Sequence, residues 1–171
     1  ALLWSKYLNR ALARFGDAVE VVYAQHHWPI WGNARCRRYV AEQRDLYKYL
    51  HDQTVRLMSH GWRPTEIAEM IRLPDGLARR WHARGYSGTV SHNVKAIYQR
   101  YLSWYDGNPA NLNPLPPQPA GAKYVEYMGG VDAVLARARE DYTRGEFRWV
   151  AQVLNHVVFA HPERTDVRTL A

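Results

Sequence analysis

Residues 19–33 read VEVVYAQHHWPIWGN. The first six, VEVVYA, are rich in β-branched side chains and too short for a helix, so they predict a strand over 19–24. The rest places His26 and His27 at the lip of that apolar run, next to Trp28 and Trp31, where an imidazole is costly to bury without a partner. Outward in both directions the pattern is helical. Leu3, Tyr7, Leu8, Ala11, Leu12 and Phe15 recur at spacings of three and four up to Gly16, which predicts an amphipathic helix ending there. Downstream, Cys36, Tyr39, Val40, Leu46, Tyr47, Leu50 and Leu57 hold helical spacing, with Gln43 as an interruption, and predict one long helix from Asn33 to about Ser59.

Two shorter helices are expected in PTEIAEMI and LPDGLARRWHARG, each opening near a proline that a first helical turn tolerates. RGYSGTVSHN reads as a glycine-punctuated loop leading into the helix VKAIYQRYLSWY. DGNPANLNPLPPQPAG, residues 106–121, carries five prolines without periodicity and reads as a semi-rigid connector. Beyond it, VDAVLARAREDYTRGEFRWVAQVLNHVVFAHPE predicts two helices hinged at Gly145 and closed by Pro162, a hairpin of the tetratricopeptide type. One such hairpin cannot bury its own faces and needs more chain or a second molecule.

The expected architecture is therefore mostly α with a single strand. An isolated strand leaves backbone donors and acceptors unpaired, so VEVVYA is expected to join a sheet whose other strands lie outside this sequence, as though the chain were truncated on its N-terminal side. The composition agrees with a folded domain: 171 residues, 13% aromatic, with seven Trp and twelve Tyr. The 23 Lys and Arg against 16 Asp and Glu give a net charge of +7, which favours acidic partners. The lone Cys36 excludes an internal disulfide and any cysteine-based zinc cluster. No apolar run approaches the ~18 residues of a membrane span.

Taken together and in this order, AQHHWPIWGN, QRDLYKYLHDQTVRL, RGYSGTVSHNVKAIYQRYLSWYDGNPANLNPLPP, KYVEYMGG and VLNHVVFA resemble the zinc-dependent alkyl sulfatases of the metallo-β-lactamase superfamily. The resemblance implies a binuclear zinc hydrolase that releases sulfate from linear alkyl sulfates such as dodecyl sulfate. It also implies an αββα catalytic domain, a helical dimerisation domain and a C-terminal sterol-carrier-like domain. On that reading residues 1–105 are the end of the catalytic domain with a helical extension, 106–121 the connector, and 122–171 a truncated dimerisation domain in a homodimer. The family's HxHxDH motif and two further acidic ligands are absent from this chain, so the chain alone is expected to be inactive and to hold no zinc tightly. The family's final metal ligand, a histidine at a strand end, falls on His26, with His27 beside it. Export to the periplasm or medium is implied as well.

His92 and Asn93 stand in GTVSHN, just before a helix whose free amides and dipole favour an anion. With Tyr98 they form the candidate sulfate-binding set, His92 as hydrogen-bond or proton donor. The alternative is a helix cap with packed aromatics. Ser87 replaces an aromatic residue usual in the family. Trp28, Trp31 and Trp104 read either as walls of an alkyl channel or as core. A competing reading takes RPTEIAEMIRLPDGLARRWHARG, residues 63–85, as a DNA-binding helix-turn-helix with Arg79, Arg80 and Arg84 facing phosphates. A third takes the chain as a purely structural dimerisation module.

Overall fold

A computed structural model describes every residue except Ser87. The chain divides into two compact units, Ala1–Asp106 and Gly107–Ala171, and 68% of it is helical.

The first unit opens with α1, Leu2–Phe15, which packs along α2, Asn33–Ser59. Between them the single expected strand is replaced by a hairpin: β1, Val21–Ala24, pairs antiparallel with β2, His27–Trp31. The ladder that VEVVYA was expected to find elsewhere is thus supplied by the five residues that follow a two-residue turn. The proline in HWPIW argues against a strand, yet the ladder accommodates it. The register slips between Val22↔Ile30 and Ala24↔His27, which leaves Trp28 and Pro29 opposite Tyr23 in a bulge. A residue without an N–H costs little there. Asn33 then anchors the hairpin, its Nδ2 donating to the carbonyls of Gly16 at 2.7 Å and Val19 at 3.0 Å.

Helix α2 has the predicted ends. Its buried positions Cys36, Tyr39, Gln43, Leu46, Leu50 and Leu57 follow the three-and-four spacing of one face. The interruption at Gln43 is resolved by a hydrogen bond, since its buried amide donates to the His82 carbonyl at 2.8 Å. Helix α3, Pro64–Met70, packs on α5, Val90–Leu102, and these close the core through Ile67, Val94 and Ile97. Between them lie α4, Asp75–Ala78, and a 3-10 turn over Trp81–Ala83. That segment corrects the helix-turn-helix reading. The expected recognition helix is a single turn, because the chain leaves α-geometry at Arg80. Two of its three arginines are already engaged, Arg79 with Asp75 at 2.7 Å and Arg80 with Glu42 at 2.8 Å.

In the second unit α6, Pro117–Tyr127, begins inside the stretch read as connector. Prolines at 117 and 119 fit a first turn, where a missing N–H breaks no helical bond. The expected hairpin is present as α7, Val131–Thr143, and α8, Phe147–Ala160, with Gly145 at φ +82° in the left-handed region that permits the turn. It is not left to bury itself alone. α6 and α9, Thr165–Leu170, cover it, and Val125, Val134, Leu135, Leu154, Val157 and Val167 form a shared core.

The α6–α8 contact is close because Gly121 has no side chain: a Cβ there would sit 2.5 Å from the His156 carbonyl oxygen. Gly121→Ala should therefore force the helices apart despite its better helix propensity. A loss of about 1–3 kcal/mol is expected, read as a lower thermal midpoint by circular dichroism. An unchanged or raised midpoint would contradict this packing.

Candidate functional site

The hairpin carries His26 at its tip. It is the second residue of the turn between β1 and β2, exposed, and followed by the Ala24↔His27 pair that closes the ladder. This corrects the expectation of a strand end, but a tight turn also holds an imidazole outward from a rigid base. His27 behaves differently. It is half-buried and edge-on to three rings, Trp81 at 5.6 Å, Tyr39 at 6.1 Å and Tyr86 at 6.2 Å between centroids. These contacts fix the base of the turn whose next residue outward is His26.

The second group of candidates lies on α5, which starts earlier than predicted. Thr89 is the N-cap, its Oγ1 accepting from the His92 amide at 3.2 Å, so His92 and Asn93 occupy the first turn rather than a preceding loop. His92 is exposed and Asn93 half-buried. A Cβ on Gly88 would lie 3.4 Å from Asn93 Oδ1, so the glycine loop packs closely on that amide. Tyr98 is not brought to them. It lies five residues beyond Asn93, about 140° around the helix, and its ring belongs to the core. Trp28, Trp31 and Trp104 are 80%, 61% and 62% exposed, so none is a core residue in this chain. Ser87 lies outside the described residues.

Two polar clusters were not foreseen. In the first, buried His51 bridges α2 and α5: its Nδ1 meets Asp52 at 2.8 Å and its Nε2 meets the Tyr101 hydroxyl at 2.6 Å, while Asp52 also accepts from Lys48. The carboxylate fixes Nδ1 as the donor, so Nε2 accepts from the phenol and α5 is held in register on α2. Desolvation would raise the Asp52 pKa, but the hydrogen bonds from Lys48 and His51 outweigh it and hold the carboxyl below its ordinary range. In the second cluster, Glu42 lies 2.8 Å from both Arg80 and His82. Burial pushes the His82 imidazole below the usual histidine range. Glu42 opposes that shift, and His27 and Arg80 add to it.

A depressed folded-state value makes unfolded His82 the better proton acceptor. This contribution is whole above the unfolded value of ~6.5 and is lost as pH falls through it toward the folded value. Urea unfolding should therefore show the first unit weakening between pH 7.5 and pH 5, with a smaller pH dependence in His82→Phe. An equal dependence in both proteins would remove His82 as the cause.

Exposed imidazoles at a hairpin tip and at a capped helix start, on a helical scaffold without a membrane-crossing helix among the described residues, define a helical module that presents polar groups outward. The family described as alkyl sulfatase dimerisation matches residues 63–171, and the chain belongs to that family. Across 167 residues it is 55% identical to the alkyl/aryl-sulfatase BDS1 of Saccharomyces cerevisiae, covering 98% of this chain and 26% of that protein. It is 53% identical over 169 residues to a linear primary-alkylsulfatase of Pseudomonas sp., covering 99% and 25%. The solved structure of the stereoselective inverting sec-alkylsulfatase Pisa1 from Pseudomonas sp. superposes with a TM-score of 0.93 at 46% identity, over 99% of this chain and 27% of that one. The chain thus spans about a quarter of the length of these relatives.

Proposed function

We propose that this chain is the dimerisation-region part of an alkyl sulfatase, which hydrolyses linear alkyl sulfate esters such as dodecyl sulfate to the alcohol and sulfate. The observation that carries the reading is close agreement, along nearly the whole chain, with proteins named as primary and secondary alkylsulfatases. In this reading the enzyme has a metallo-β-lactamase catalytic domain with two zinc ions, and His26 is one of their ligands. Bound zinc would polarise the ester and lower the pKa of a coordinated water. Among the described residues no group of three or more His, Cys, Asp or Glu side chains could hold a metal. His26 therefore fits as one ligand offered from an exposed turn, not as the nucleus of a site within this chain.

His92 and Asn93, held at the capped start of α5, supply donors for the sulfate group. Tyr98 packs in the core of the first unit and is not part of that donor set. The His51–Tyr101 bridge keeps α5 in place. The second unit presents Trp149, Phe147, Tyr127 and Phe159 to solvent, and these suit a homodimer interface. Export to the periplasm or medium is proposed on the resemblance alone.

An exchange tests the reading. The matching quarter of the Pseudomonas primary alkylsulfatase is replaced by this chain, and sulfate release from dodecyl sulfate is followed. His92→Ala should lower kcat/KM by about a hundredfold, the loss of one oriented donor or acid. A folded exchange enzyme whose kcat/KM is unchanged by His92→Ala and Asn93→Ala would remove α5 from the substrate site.

A further inference from the structure

The Tyr101 hydroxyl takes no part in the chemistry above, yet it ends a chain of linked side chains. Asp52 Oδ1 accepts from His51 Nδ1 at 2.8 Å, and His51 Nε2 in turn accepts from the Tyr101 hydroxyl at 2.6 Å. A hydroxyl within hydrogen-bond reach of an imidazole, itself oriented by a third group, is the arrangement that activates a nucleophile. Lys48 pairs with the other carboxylate oxygen of Asp52. The acid is thereby kept as the anion that an imidazolium needs beside it.

Burial divides the roles. His51 is 8% exposed and held between α2 and α5, whereas Tyr101 is 49% exposed, so the base is preorganised and the hydroxyl reaches solvent. Tyr49 makes the contrast. Its hydroxyl donates to the Arg72 carbonyl at 2.8 Å, and a peptide oxygen cannot carry the proton away. An imidazole can. Phenols titrate near ~10, so free phenolate is scarce at neutral pH, and a base that takes the proton during attack removes that barrier. The charges beside this phenol, Asp52 and Lys48, are already paired with each other, which favours a neutral electrophile over an anionic one. Leu102, the next residue at the end of α5, is half exposed and offers an apolar surface for the electrophile's body.

We infer that Asp52, His51 and Tyr101 form a nucleophilic site whose Tyr101 hydroxyl is acylated by a neutral activated ester. Tyr101 Oη attacks the ester carbonyl carbon, and the bond from that carbon to the leaving oxygen breaks. The phenolic proton passes to His51 Nε2 and then to the departing oxygen, leaving an acyl ester on Tyr101 and a free alcohol or phenol. Asp52 stabilises the imidazolium between the two transfers. The inference uses none of His26, His92, Asn93 or Tyr98, and it stands or falls apart from the sulfate-ester reading.

Short exposure of the chain itself to p-nitrophenyl acetate at neutral pH tests it, with p-nitrophenol release and mass mapping of acetylated peptides as readouts. Tyr23 and Tyr127 are internal controls, since both are more exposed than Tyr101. Tyr101 should be acetylated at least about tenfold faster than either. Asp52→Asn, at the accessible end of the chain of hydrogen bonds, should slow this by about tenfold or more with the melting temperature held, and His51→Gln by about a hundredfold. Tyr101→Phe should abolish the early acetylated peptide. The inference is overturned if Tyr101 reacts no faster than Tyr23 and Tyr127, if the acetyl group settles on His51 instead, or if Asp52→Asn leaves the rate at Tyr101 unchanged in the folded chain.

Discussion

His26→Ala in the exchange enzyme is expected to lower kcat/KM for dodecyl sulfate by about three orders of magnitude, the several kcal/mol of charge stabilisation that a catalytic metal supplies. The side chain is exposed at the hairpin tip and touches none of the core, so the melting temperature should hold. Bound zinc, measured after dialysis, should fall below two per subunit in the proposed site. His27→Ala should behave differently. Its ring is packed against Tyr39, Trp81 and Tyr86, so it should destabilise the first unit and alter activity through the placement of the turn. Full activity and full zinc content in the folded His26→Ala enzyme would show the ligand assignment to be wrong, whatever the fate of the family reading.

The second large effect is on stability. Leu154 is fully buried on α8 at the centre of the second unit's core. Leu154→Ala should cost about 2–5 kcal/mol, the lost transfer free energy plus the cavity left behind. The second unit spans only residues 107–171, and a domain that small holds about 3–10 kcal/mol in all. The variant should therefore lose most of this unit's cooperative melting transition and any self-association that depends on it. Retention of a wild-type transition by calorimetry would mean that α8 is not the centre of this core.

The long helix was legible because its evidence is local and repeated. Cys36 to Leu57 keep one spacing over about six turns, and the interruption at Gln43 is too small to break it. The hairpin was hidden for the opposite reason. HWPIW offers five residues, a proline and no alternation, and only the bulge opposite Tyr23 makes Pro29 compatible with a ladder. The helix-turn-helix pattern misled because LARRWHARG has helical composition, whereas tertiary pairing of Arg80 and His82 with Glu42 holds the chain in a 3-10 turn. His92 and Asn93 were read as the end of a glycine-rich loop before a helix, and the helix boundary was misplaced by one turn. The His51–Tyr101 bridge joins residues fifty positions apart. Sequence spacing carries no sign of such a pair, and only the packing of α5 on α2 brings it together.

The most direct test of the proposed function is the rate of sulfate release from dodecyl sulfate by the Pseudomonas primary alkylsulfatase carrying this chain in place of its matching quarter. The account predicts turnover within about tenfold of the parent enzyme, because first-turn donors, hairpin and helical core are all supplied by this chain. A dimeric, zinc-loaded exchange enzyme that releases no sulfate above the uncatalysed rate would contradict it.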